Sequence, residues 1–142
     1  MEILSILTDK RRLGNLGEDA AARMLRRKGY RILERNYVSE GHEIDIIAES
    51  RDTLAFIEVK TRTLGKEDPR EPRPASSVTP EKQRAIISAA RGYLSLRRVM
   101  KKKRFDIIEV YVQEGGQRKT VKEIKHLENS FNLNTAYKPN YR

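Results

Sequence analysis

Two short apolar runs, Glu43-Ile44-Asp45-Ile46-Ile47 and Phe56-Ile57-Glu58-Val59-Lys60, constrain this chain more than any other feature, because both carry ionisable groups inside what reads as a buried strand. Such a group is costly to bury unless something pairs with it. Four polar residues, Ser50 to Thr53, join Glu43–Glu49 to Leu54–Lys60, a length suited to a hairpin. Pairing Glu49 with Leu54 sets Ile47 opposite Phe56, Asp45 opposite Glu58 and Glu43 opposite Lys60. On the other face Ile44 meets Val59, Ile46 meets Ile57 and Ala48 meets Ala55. One face is then apolar, and the other sets two carboxylates against each other. Like charges in that position destabilise a sheet unless a cation lies between them, and magnesium suits one or two carboxylates with water and phosphate oxygens. The competing reading is a plain salt bridge, with Glu43 or Glu58 paired to Lys60 on a solvent-facing sheet.

The flanking sequence supplies the other elements. Leu13, Leu16, Ala20, Ala21, Met24 and Leu25 trace the stripe of an amphipathic helix from Leu13 to Lys28, which Gly29 stops. Arg31 to Val38 reads as an edge strand and Ser39-Glu40-Gly41 as a turn. Thr61 to Thr79, with Pro69, Pro72, Pro74 and Gly65, is a long loop. Thr79 followed by Pro80 is an N-cap with proline at the first helical position, and Ile86, Ala89, Ala90, Tyr93 and Leu94 mark one face of a helix to about Arg98. After a basic run come strands at Phe105 to Val112 and about Thr120 to Leu127, turned by Gly115-Gly116, and then a polar tail. A strand, a helix and another strand imply a right-handed crossover and a parallel pair. The expected fold is therefore α/β, a mixed five-stranded sheet flanked by helices.

That crossover brings further side chains to the acids. Its helix starts beyond the end of the preceding strand, so Lys82 and Gln83 belong beside Glu58 and Lys60, where the helix N-terminus also offers free N–H groups to a phosphate. Glu18 flanks the stripe of the first helix, and on geometry alone it reads as a partly exposed surface acid. His42 is a turn histidine that stands next to the acids, and His126 reads as structural.

At 142 residues the chain suits one domain over 1–142, with its core at about 13–127 and the polar tail at 128–142. Cysteine is absent, which excludes disulfides and thiolate metal sites and accords with a reducing, cytoplasmic setting. No apolar run reaches the roughly 18 residues of a membrane span, and the first ten residues do not form a secretory signal. A formal net charge of +10 favours a polyanionic partner, nucleic acid before membrane. The N-terminal apolar residues Ile3, Leu4, Ile6 and Leu7 suit either a homodimer contact or a cap on the chain's own core.

Gly17-Glu18 with Ala20-Ala21, Gly29-Tyr30, Asn36-Tyr37, Glu43-Ile44-Asp45, Phe56-Ile57-Glu58-Val59-Lys60-Thr61-Arg62, Lys82-Gln83 and Arg104-Phe105-Asp106 stand in the order seen in the YraN-like family. From Leu13 to Leu127 the chain resembles that family of endonuclease-like proteins, which is related to the PD-(D/E)XK superfamily and similar in core to archaeal Holliday junction resolvases. The resemblance implies a restriction-endonuclease-like core. It also matches the superfamily acid to Asp45, the Glu-X-Lys pair to Glu58 and Lys60, the helical acid to Glu18 and the helical glutamine to Gln83. Where the family commonly has glycine before Glu-Ile-Asp this chain has His42, with Gly41 one residue earlier.

The function expected is magnesium-dependent cleavage of phosphodiester bonds in DNA, branched or structured DNA included, with manganese able to substitute. Asp45 and Glu58, helped by Glu18 or the Val59 carbonyl, would hold the ion. Lys60 would orient water or stabilise developing charge, and Gln83 would position water or phosphate. Arg62, Lys82 and the basic run containing Arg97, Arg98, Lys101, Lys102 and Lys103 would contact backbone phosphates. The alternative is a catalytically inactive nucleic-acid-binding module of the same fold, and a further one is a protein-interaction scaffold with the acids as structural pairs.

Overall fold

The computed structural model describes residues 2–65 and 78–132. Helix α1 (Glu2–Arg27) leads into strands β1 (Arg31–Ser39), β2 (His42–Glu49) and β3 (Thr53–Thr63). Helix α2 (Pro80–Ser95) crosses over to β4 (Lys102–Gly115), and β5 (Arg118–Phe131) closes the sheet. The strands lie in the order β1-β2-β3-β4-β5, with β3 and β4 parallel and every other pair antiparallel. The architecture is α/β with a mixed five-stranded sheet, consistent with a restriction-endonuclease-like core.

Alternation along the strands divides the core in two. Ile47, Leu54, Phe56, Phe105 and Ile107 pack with Ile86, Ala89, Ala90 and Tyr93 of α2. Ile46, Ala48, Ala55, Ile57, Ile108 and Val110 pack with Ala20, Ala21, Ala22 and Leu25 of α1. Small alanines on α1 let it lie close to the sheet, and Gly17 lets it lie closer: a Cβ there would sit 1.9 Å from Thr61 Oγ1. At the start of α2 the Thr79 side chain accepts the Lys82 N–H at 3.1 Å and Pro80 opens the helix, as the sequence predicts.

Several boundaries differ from the expected ones. Helix α1 starts at Glu2 rather than Leu13, because the upstream residues are helix formers with no proline to stop them. Ile3 and Leu4 there are 75% and 69% exposed, so they do not cap the core. Helix α2 ends at Ser95, short of Arg98. Strand β3 continues to Thr63, taking the first residues of the expected loop, and 66–77 of that loop lie outside the described residues. Strand β4 begins at Lys102, since the parallel ladder with β3 already holds Lys102 against Thr53. Strand β5 runs past Leu127 to Phe131, whose ring is buried and stacks on Phe105 at 5.2 Å; an aromatic anchor, not composition, ends the strand. The rest of the expected tail, 133–142, lies outside the described residues.

Candidate functional site

The hairpin register is the expected one where it exists. Glu49 faces Leu54, Ala48 faces Ala55, Ile47 faces Phe56 and Ile46 faces Ile57. There the ladder stops. Hydrogen-bonded pairs alternate from the turn, where Ser50 N–H donates to the Thr53 carbonyl at 2.8 Å, so a continued ladder would give the Val59 N–H to Ile44. Instead that N–H donates to Asp45 Oδ2 at 2.8 Å. The strands separate beyond Ile46 and Ile57, and the direct pairings Asp45 with Glu58, Glu43 with Lys60 and Ile44 with Val59 do not form in the ladder. The facial order changes as well: Ile44 packs with Ile47 on the α2 side, not with Ile46 and Ala48 on the α1 side.

In this opening the acids gather from three elements. One carboxylate oxygen each from Glu18 of α1 and from Glu43 and Asp45 of β2 lie within 4.8 Å of one another. Asn36 of β1 ties them together, donating from Nδ2 to Glu18 Oε1 at 3.1 Å, Glu18 Oε2 at 3.2 Å and Glu43 Oε2 at 2.8 Å. Its backbone has φ 53°, a left-handed conformation that asparagine tolerates better than most residues. Arg35 of the same strand reaches Glu18 Oε1 at 3.5 Å and Asp19 at 2.9 Å. Glu18 therefore reaches the acids, although its helical position alone read as surface. The close approach at Gly17 is what lowers it toward the sheet.

Glu58 stands on the other side of Asp45. It is 6% exposed, with Lys60 Nζ 3.7 Å and Lys82 Nζ 3.8 Å from its Oε2. The salt bridge to Lys60 is thus present, but on a buried carboxylate rather than a solvent-facing one. Burial is the main force raising the Asp45 pKa, from 3.8 to about 8; the charges of Glu58, Glu18 and Glu43 add to it and the Val59 N–H opposes it. Burial raises Glu58 too, while the ammonium groups of Lys82 and Lys60 pull it back part of the way. Gln83 donates from Nε2 to the Val78 carbonyl at 3.0 Å, in the first turn of the helix that carries Lys82. Glu58 Oε1 and Gln83 Oε1 are buried acceptors with no hydrogen-bond partner among the described residues, and a carboxylate oxygen in that state suits a cation. The chemistry of the set, hard carboxyl oxygens gathered from α1, β2 and β3 at a half-buried site, fits a divalent ion such as magnesium or manganese.

Not every predicted residue joins this group. Arg62 follows Lys60 by two positions on β3 and has the same facing. Arg97 lies over the Tyr93 ring at 3.7 Å and donates to the Tyr93 carbonyl, and Arg98 is exposed. Lys101 is bound to Glu49 Oε1 at 3.1 Å and the Ser50 carbonyl at 2.7 Å, and Lys102 and Lys103 pair with Thr53 and Leu54. These last residues sit at the hairpin end of the sheet, away from the acids.

The structure adds two residues, Glu43 and Asn36, that sequence reasoning left out of the site, and a further buried acid, Glu109, next to Lys60 in the ladder. Glu43 shows the same signal as Asp45, two residues away on one strand, but its expected partner Lys60 concealed it. Asn36 needed the left-handed φ, which a sequence does not display. Glu109 is 3% exposed and is the ladder partner of Lys60; it accepts from Tyr111 Oη at 3.0 Å. Its signal was a charge inside the apolar run Phe105 to Val112. His42 is exposed. His126 belongs to a separate buried network, donating from Nε2 to Asp106 Oδ2 at 2.8 Å while Lys28 Nζ donates to its Nδ1 at 2.7 Å.

The sequence profile described as "Uncharacterised protein family UPF0102" matches residues 17–110, a span that holds every acid of the site. The UPF0102 protein of Chlorobaculum parvum is 48% identical over 122 residues, covering 84% of this chain and 91% of that protein. The UPF0102 protein of Chlorobaculum tepidum is also 48% identical over 122 residues, with the same coverage of 84% and 91%. That of Pelobacter propionicus is 40% identical over 128 residues, covering 88% of this chain and 86% of that protein. The chain therefore belongs to the uncharacterised protein family UPF0102, the YraN-like family whose motifs it carries.

Proposed function

We propose that this protein is a divalent-metal-dependent endonuclease that hydrolyses phosphodiester bonds of nucleic acid, DNA before RNA. One observation carries the reading: the hairpin ladder opens at Asp45, and the opening collects Glu18, Glu43, Asp45 and Glu58 around a carboxyl whose pKa is raised to about 8. Four carboxyl groups gathered at a half-buried site give a cation hard oxygen ligands, and a bound cation would displace the proton that burial and the neighbouring acids hold on Asp45. Asp45, Glu58 and Glu18 would hold the ion, with Glu43 as a further carboxylate. The ion supplies charge neutralisation and polarisation of the scissile phosphate. Lys60, 3.7 Å from Glu58, orients the attacking water and offsets charge developing on the phosphate. Gln83 and the α2 N-terminus hold a phosphate oxygen, and Lys82 and Arg62 hold the neighbouring backbone. Branched and structured DNA remain within this reading, because the cleft acts on backbone and not on base edges.

A second reading, a binding module that does not cut, draws on the internal balance of the cluster. Lys60 and Lys82 already flank Glu58, and Asn36 already bridges Glu18 and Glu43. Incubation with linear, flap, single-stranded and four-way DNA in manganese separates the two. The nuclease reading expects cleavage that Lys60→Ala and Glu58→Ala each abolish; cleavage unchanged in both variants would remove it.

A further inference from the structure

Alternation sorts the side chains of β3 and β4 onto two faces. Phe105 and Ile107 pack on the α2 side and Ile108 and Val110 on the α1 side, so Glu109 and Tyr111 share the α2 side with Glu58 and Lys60. The ladders set Lys60, Glu109 and Lys125 in one row across three strands, each about 4.8 Å from the next. Glu109 is 3% exposed, and its Oε1 accepts from the Tyr111 hydroxyl at 3.0 Å. Its Oε2 is buried with no hydrogen-bond partner among the described residues. A carboxylate oxygen buried without a donor is costly, and a state of the protein that supplies the donor removes that cost. Lys125 is engaged elsewhere: its Nζ lies 4.0 Å from Glu123 and 5.4 Å from the Tyr111 ring centroid. Lys60 is held loosely. Its Nζ is 3.7 Å from Glu58 Oε2, which Lys82 Nζ also approaches at 3.8 Å, and both distances are beyond hydrogen-bond reach.

We propose that Glu109 is a positioning residue for Lys60, which receives the Lys60 ammonium when a divalent cation occupies Glu58. The inference rests on the metal reading of the acid site given above. A cation on Glu58 offsets the charge that attracts Lys60 and Lys82, and it repels both ammonium groups. Lys82, with its side chain 44% exposed at the start of α2, turns to water. Lys60 is more enclosed, with its side chain 28% exposed, and the ladder places Glu109 beside it on the same face. Tyr111 holds the receiving carboxylate through Oε1 and leaves Oε2 open to the ammonium. The exchange gives Glu58 to the cation and keeps the Lys60 charge on the face where the phosphate is bound.

The test is a double-variant cycle read by calorimetry of manganese binding, with Glu109→Gln and Lys60→Met made singly and together. Glu109→Gln keeps an acceptor for Tyr111, and Lys60→Met keeps an apolar stem without the charge. With Lys60 in place, Glu109→Gln is expected to weaken manganese binding about fivefold or more, and in the Lys60→Met background less than about twofold. Equal losses in both backgrounds make Glu109 a remote charge and overturn the proposal. A large fall in the Tm of Glu109→Gln in EDTA, with manganese binding unchanged, makes it a structural acid and also overturns it. A crystal structure of the wild type with manganese needs no variant: Lys60 Nζ is expected within about 3 Å of Glu109 Oε2, and Nζ still on Glu58 overturns the proposal. A wild type that takes up no manganese removes the metal reading and the proposal together, whereas wild-type binding that Glu109→Gln leaves unchanged removes the proposal alone.

Discussion

The Val59 N–H donates to the Asp45 carboxylate at 2.8 Å, in the place where a regular hairpin would give it the Ile44 carbonyl. A side chain has taken over a rung of the ladder. That exchange opens the sheet beyond Ile46 and Ile57, turns Asp45 toward Glu18 and Glu43, and leaves Glu58 buried beside it. The cleft is therefore a product of the strand's own sequence, an acid where a ladder needed only an alternating residue.

The first consequence concerns pH. Asp45 holds its proton to about pH 8 in the folded chain, against an ordinary value of 3.8. Between those values the folded state binds more protons than the unfolded state, so this group makes stability fall as pH rises through that window. In metal-free buffer Asp45→Asn is expected to be more stable than the wild type at pH 8 by on the order of a few kcal/mol, and the difference should shrink toward pH 4. Urea melts at pH 4, 6 and 8 measure it.

Asn36 makes a separable pair of contributions. Asn36→Gly keeps the left-handed backbone at φ 53° without strain but removes the amide that bridges Glu18 and Glu43. It is expected to change cation affinity more than stability. Asn36→Ala adds the left-handed penalty of about 1–2 kcal/mol, which thermal melts of the two variants compare.

Close approach of α1 sets the position of Glu18. Gly17→Ala would bring a Cβ to 1.9 Å from Thr61 Oγ1 and 3.0 Å from Thr61 Cβ, so either the helix or the threonine has to move. The expected cost is about 1–3 kcal/mol in urea denaturation. The double variant Gly17→Ala/Thr61→Gly, which empties the contact, is expected to recover part of it.

The end of β5 tests a boundary that composition misplaced. Phe131 is 2% exposed and stacks on Phe105, which itself stacks on Phe56 at 5.4 Å. Phe131→Ala is expected to cost about 3–5 kcal/mol. A neutral result in denaturant titration would return residues 128–131 to the polar tail.

These outcomes mark what the sequence made legible. Element order, the parallel crossover, the hairpin register to Ile46 and Ile57, and the arrival of Lys82 beside Glu58 all follow from patterns of two to four residues. Expectations diverged where one side chain overrode a periodic rule. Asp45 replaced a backbone acceptor, so alternation stopped predicting faces at Ile44. Asn36 entered the left-handed region, and Phe131 anchored a segment that its polar neighbours made look like a tail. The basic run lies apart from the acids for a topological reason: a parallel ladder sets Lys102 at the start of β3, while the acids lie toward its far end.

The most direct test of the central claim, that the opened ladder holds a divalent cation, is isothermal titration calorimetry of manganese into the wild type and Asp45→Ala. The account predicts a binding isotherm for the wild type, accompanied by proton release at pH 7 as the Asp45 carboxyl ionises, and none at that site for Asp45→Ala. Manganese binding of equal affinity to both proteins, or to neither, would contradict it.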